Sequence, residues 1–142
     1  MKIRLVIPPV NTQPTERPQA CCYCGHWRLH RHGTVTKPLR DHRQTEVTVE
    51  RYRCCGCRRT FRHYPDGVTA RDQSQRTVVL AALLYGLGLS CHAAAHVLGA
   101  LEVAVCGMTV WRDAQIAGEA LRRTRPATRV RVLGADETVY RV

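Results

Sequence analysis

The order of patterns along these 142 residues predicts a small α+β protein: a β-hairpin module, a three-helix module, then the start of another strand. Three observations carry that prediction. Four cysteines stand as two C-x-x-C pairs, Cys21 with Cys24 and Cys54 with Cys57. Between the pairs, apolar and polar residues alternate at period two. From Ser74 onward the spacing becomes helical, with serines and glycines at the boundaries. The expected divisions are 1–19, a strand and proline-rich tether; 20–68, the cysteine-bearing hairpin; 69–125, the helices; and 126–142, which hold a further strand.

Residues 2–7 alternate briefly and predict a short strand that Pro8 and Pro9 stop. Residues 8–19 hold four prolines among polar neighbours and read as a tether. Trp27 to Val35 and Thr45 to Cys54 alternate with β-type residues and predict two strands, the second running into the second cysteine pair. The basic segment 36–44 between them is the expected hairpin tip. Phe61 is expected to pack under the cysteines, and Pro65-Asp66-Gly67 forms a turn. Ser74 caps a predicted helix over 75–87, and Ser90 caps one over 91–98, closed by Gly99. A third runs from Met108 to Arg123, with Val110, Ala114, Ala117 and Leu121 as its apolar stripe. Two short helices and a third with a polar outer face predict a helix-turn-helix. Trp111 is read as core, and the isolated Cys91 and Cys106 as buried helix thiols. Residues 129–133 alternate like a strand.

Two C-x-x-C pairs can offer four thiolates to one tetrahedral zinc ion, so the hairpin module reads as a zinc ribbon. Gly25 and Gly56 suit the tight knuckles this requires. The 29 residues between the pairs exceed the usual ribbon spacing, which a long hairpin accounts for. A module this small buries too little surface to fold unaided, and a structural metal supplies the difference. The start of the chain carries no secretory pattern, so a disulfide framework is set aside. Four thiolates at ribbon spacing favour zinc over an iron–sulfur centre. The histidines near the ribbon (His26, His30, His32, His42 and His63) read as surface or phosphate-contacting groups. A thioredoxin-like redox role fits poorly, since that motif sits in a βαβ setting.

The formal net charge is +11, with 22 basic against 11 acidic side chains. Residues 1–70 hold 13 basic and 5 acidic groups, a balance of +8; residues 71–142 hold 9 and 6, a balance of +3. Such an excess favours a polyanionic partner, above all nucleic acid. The expected division of labour gives phosphate contacts to Arg40 and Arg43 at the hairpin tip. Base contacts fall to Thr109, Arg112 and Gln115 near the start of the third helix. No apolar stretch is long enough to span a bilayer, so no membrane partner is expected.

The order of motifs resembles a known family. It comprises the C-x-x-C ribbon, Tyr52-Arg53-Cys54, Arg59-Thr60-Phe61, Pro65-Asp66-Gly67-Val68, Tyr85-Gly86-Leu87-Gly88-Leu89-Ser90, Thr109-Val110-Trp111-Arg112 and Leu133-Gly134-Ala135-Asp136-Glu137-Thr138. Over residues 20–140 the chain is similar to the N-terminal part of bacterial insertion-sequence transposases of the DDE type. The resemblance implies a ribbon and helix-turn-helix that bind double-stranded DNA at the element's ends. An RNase H-like catalytic domain then follows, with Asp136 as its first metal-binding acid. It implies Mg²⁺ only for a full-length relative, since later acids have no counterpart here. A homo-oligomer or full-length transposase is then a partner, and the bacterial cytoplasm, beside the nucleoid, the location. In that family Gly107 often has serine as its counterpart, capping the recognition helix. The chain alone is expected to bind DNA without cleaving it. The alternative reading is a small zinc-ribbon regulatory or interaction protein that binds RNA or another protein.

Overall fold

A computed structural model of the chain describes residues 6–124. The expected strand at 129–133 and Asp136 lie outside them, as does most of the expected strand at 2–7. The described residues form one three-stranded antiparallel sheet followed by three helices. The strands are β1 (Leu29–Pro38), β2 (Glu46–Cys54) and β3 (Thr60–His63), in the order β1-β2-β3. The helices are α1 (Gln75–Gly86), α2 (Cys91–Ala100) and α3 (Gly107–Thr124).

The hairpin alternation reads correctly in sequence, but the third strand does not. Thr60-Phe61-Arg62-His63 is four residues long with one apolar member, so no period is visible. It pairs with β2 from Glu50↔His63 to Arg53↔Thr60. Strand β1 holds a bulge, of which the lone Gly33 is the one local sign. Arg31 pairs with Tyr52 and Thr34 with Glu50, three steps against two, so one extra residue is accommodated. Gly33 sits there with φ +98, a conformation that L side chains rarely adopt.

The bulge lets the sheet serve two cores on opposite faces. Toward the tip, Val47 and Val49 pack with Val10, Leu39 and Val68. Toward the cysteines, Tyr52 and Cys54 pack with Cys21, Leu29 and Phe61. Successive strand residues point to opposite faces, so the buried side of β2 changes between Val49 and Tyr52. On β1 the extra residue moves Leu29 and Arg31 to the opposite face from Val35 and Lys37. This is why the alternation in β1 looks loose.

The proline-rich segment is not a free tether. Val10 is buried, and its carbonyl accepts from Gln44 Nε2 at 3.1 Å. Asn11 N donates to Asp66 O at 3.0 Å, and Thr48 N donates to Thr12 O at 2.8 Å. Proline removes donors but leaves carbonyls and fixes φ, so the segment loses little entropy on lying against the sheet. Gly67 is required where it passes: its φ is +75, and a Cβ would stand 2.1 Å from Pro9 O.

The hairpin tip docks on the start of α1. Arg40 N donates to Asp72 O at 2.7 Å and Ser74 N to Arg40 O at 3.3 Å, forming a parallel bridge between Arg40 and Gln73. Beneath it Asp41 Oδ1 accepts from Ser74 Oγ at 2.6 Å and from Arg76 Nε at 3.1 Å. Both members of that ion pair are buried. Burial alone would raise the Asp41 carboxyl, but the Ser74 hydroxyl, the Arg43 backbone N–H and Arg76 outweigh it and hold it below the usual range. The boundary expected at 68/69 is therefore a buried joint.

Ser74 and Ser90 cap α1 and α2 as expected, accepting from Thr77 N and Ala93 N. Gly99 lies inside α2 rather than closing it, since Leu101 is the C-cap. The helices share an aliphatic core: Ala81, Ala94, Leu98, Val103 and Val110. The expected stripe of α3 holds at Val110 and fails at Leu121, which is 68% exposed. Trp111, expected in the core, is 45% exposed, because the buried line runs through Val110 and Asp113 instead. Asp113 Oδ2 accepts from Gln73 Nε2 at 2.8 Å, tying α3 to the joint. Cys91 is half-buried and Cys106 exposed, so neither is the buried thiol that was expected. Among the described residues no helix is long and apolar enough to cross a membrane.

Candidate metal centre

Each cysteine pair closes a knuckle at one end of the sheet. The first begins where Cys21 N donates to His26 O and Gly25 N to Cys21 O, both at 2.9 Å. The second begins where Cys54 N donates to Arg59 O at 3.0 Å. In each, the residue two past the first cysteine turns its backbone N–H onto that sulfur. Tyr23 N lies 3.4 Å from Cys21 Sγ, and Gly56 N lies 3.3 Å from Cys54 Sγ. The residue after each second cysteine has positive φ: Gly25 at +70 and Arg58 at +60. Gly56 therefore does not supply the left-handed turn that the sequence suggested; Arg58 does. A Cβ on Gly56 would stand 3.1 Å from His26 Cγ, so glycine there lets the two knuckles approach.

The knuckles bring the four predicted ligands together. Cys21 Sγ lies 3.7 Å from Cys57 Sγ, and Cys24 Sγ lies 3.6 Å from Cys54 Sγ. All four sulfurs lie within 4.8 Å of one another. A tetrahedral ion with bonds of about 2.3 Å, as zinc makes to thiolate, needs sulfurs about 3.8 Å apart. Two of the sulfur pairs already have that spacing, and the four together can hold a metal ion. Among the described residues this is the only such cluster, and none of the histidines joins it.

The thiols also titrate as a group. Burial would raise Cys21, but the Tyr23 and Cys24 backbone donors and the neighbouring Cys54 and Cys57 sulfurs bring it down to about 7. For Cys57 the Arg59 backbone N–H lowers the value, yet burial and the other three sulfurs push it up to about 11. One thiolate forms readily and is shared by its neighbours; the last resists because like charges crowd it. A divalent cation removes that conflict, which is what selects such a cluster for metal.

Around this end the side chains are aromatic and basic. Phe61 is buried beside the cysteines, as expected, and stacks on Tyr52 with centroids 6.1 Å apart. Trp27 is 72% exposed, with the Arg28 guanidinium 5.5 Å from its ring centroid. Arg59 lies over Tyr23 at 5.3 Å. His63 Nε2 lies 2.8 Å from Glu16 O, which anchors the N-terminal segment rather than an ion.

The predicted DNA-contacting residues occupy two other places. Arg40 and Arg43 keep exposed side chains, although the Arg40 backbone is committed to the joint and Arg43 Nε donates to His42 Nε2 at 3.1 Å. On α3, Arg112 and Gln115 are exposed at helical spacing and Thr109 is half-buried. Cys106 precedes the helix, with its sulfur 3.3 Å from Thr109 Oγ1. The Thr109 hydroxyl and backbone N–H lower its thiol. Gly107 is buried at the first turn, where a Cβ would meet His92 Nδ1 at 3.3 Å. No protein-family model matches the chain, and neither a curated protein nor a solved structure matches it significantly.

Proposed function

We propose that the chain is a zinc-stabilised DNA-binding module of the kind that insertion-sequence transposases use to hold the ends of their element. The observation that carries this reading is the four-cysteine cluster at the head of an arginine-rich sheet, on a chain of net charge +11. Zinc is the ion that four thiolates in tetrahedral array favour, and here it holds the knuckles rather than acting chemically. The three helices then serve as the helix-turn-helix. Met108, Arg112 and Gln115 present one exposed side of α3 at i, i+4, i+7 spacing, a row that can enter a major groove. Trp111, exposed on the same helix, flanks that row. Phosphate contacts supply most of the affinity and the base contacts its preference.

The test is duplex binding by the zinc-loaded chain, first to a randomised pool and then to the selected sequence against an unrelated one. Affinity should fall steeply with salt, by roughly a thousandfold between about 50 and about 200 mM for about six phosphate contacts. Arg112→Ala and Gln115→Ala should relax preference more than affinity. Absence of duplex binding at low salt would overturn the reading; tighter binding to RNA would favour a different partner.

A further inference from the structure

Strand β2 leaves one part of the sheet with no core against it. Val47 and Val49 face the tip core, and alternation carries Arg51 and Arg53 onto the same side beyond its edge. In register across from Arg51 lies Arg62 of β3. Across from Arg53 lie Thr60 on one side and His30 on the other. Arg53, Arg62 and His30 are exposed, and Arg51 is half-buried.

Among the described ion pairs none involves Arg51, Arg53 or Arg62. Glu50, the neighbouring acid, points to the other face, where Arg31 holds it at 2.6 Å and the Tyr52 hydroxyl at 2.7 Å. Like charges directly opposite in an antiparallel pair destabilise it. The Arg51–Arg62 pair is therefore a standing cost that a carboxylate at either position would relieve. Lys37 lies further along the same face; its burial depresses it first, Asp72 opposes that, and Arg62 adds a smaller depression. Beside the pair opens a groove of about 510 Å³, edged by Tyr23, Thr60, Phe61 and Tyr64 as well as the two arginines.

We infer that Arg51, Arg53 and Arg62, with His30, form the platform on which the sheet grips the phosphate backbone of duplex DNA. The inference rests on the DNA-binding reading above and moves the sheet's main contact from the tip to this face. Guanidinium groups bind phosphate oxygens in pairs, so a bound backbone supplies the negative charge that the sheet itself withholds. The tip, by contrast, has its backbone engaged with α1.

The test uses the whole zinc-loaded chain and a labelled mixed-sequence duplex, with affinity measured across a salt series. Arg51→Gln with Arg62→Gln should weaken binding about tenfold or more at low salt. It should also lower the log–log salt slope by about 1.8, near 0.9 per lost phosphate contact. Arg62→Glu should weaken binding too, yet raise the melting temperature, because a carboxylate then faces Arg51. Zinc content and melting temperature report whether each variant is folded. If the double variant misfolds, the exposed Arg53→Gln carries the same test, with a slope change of about 0.9. Wild-type binding to duplex with both slope and affinity unchanged in these variants would overturn this inference alone. Failure of the wild type to bind duplex would overturn it together with the reading it rests on. Preference for a single-stranded form of the same sequence would overturn the commitment to duplex.

Discussion

Cys54 is the residue on which most of the ribbon converges: it ends β2, opens the second knuckle, accepts from Gly56 N and packs on Tyr52. Cys54→Ser should abolish binding of the one zinc equivalent per chain that elemental analysis of the wild type is expected to show. Two buried aspartates make a second test at this scale, because their carboxyls shift in opposite directions. Asp41 is held low, so its contribution is complete above the ordinary carboxyl range and lost only as pH falls through the lowered value. Asp41→Asn leaves Arg76 buried without its counter-charge and should cost about 3 kcal/mol near neutrality, read from urea unfolding. Asp113 is pushed up by burial, against the opposing pull of Gln73 and Arg71. The stability it contributes is present below the ordinary carboxyl value and lost as pH rises through the raised one. As pH rises from below the ordinary carboxyl range to neutrality, the difference in urea midpoint between Asp113→Asn and wild type should therefore move in the variant's favour. A difference that stayed flat with pH would show that Asp113 is ionised in the fold without penalty.

The two capping serines show how one local rule takes different weight from its surroundings. Ser90 is exposed and does only what a cap does, so Ser90→Ala should cost about 1 kcal/mol. Ser74 is buried, caps α1 and also donates to Asp41. Ser74→Ala removes a charge-assisted hydrogen bond as well as the cap and should cost roughly 2–3 kcal/mol. Equal costs in thermal unfolding would mean that the joint contributes little to α1. Strand β1 makes the complementary point: the lone Gly33 is a local sign of a bulge, but pairing with β2 sets its register.

Among the described residues three small cores are linked by polar contacts rather than fused. The core nearest the cysteines contains two of the four candidate ligands, Cys21 and Cys54, so a metal bound there would act on it most directly. Removing zinc with a chelator should release amide protection in β3 and the cysteine end of β2. The helices, whose core contains no ligand, should retain theirs. Hydrogen exchange of metal-loaded and metal-free protein reads this directly; uniform loss throughout would show that the joint at Asp41 makes the chain one cooperative unit.

Chemistry that depends on residue type and local spacing was legible in the sequence itself: both C-x-x-C knuckles, the hairpin strands, the serine caps and the Pro65–Gly67 turn. Each is decided within a few residues, by ligand reach, side-chain alternation or the needs of an unpaired backbone N–H. The remaining features depend on partners distant in sequence. Strand β3 exists because β2 offers an edge to pair with. Asp113, not Trp111, turns inward because Gln73 meets it. The proline-rich segment is ordered because sheet and turn donors reach its carbonyls. The bulge in β1 moves Leu29 to the opposite face from Val35, so that β1 follows the change of buried side in β2, while the β2–β3 register leaves Arg51 and Arg62 side by side. A period of two tells which residues share a face, but which face is buried is set by what packs against it.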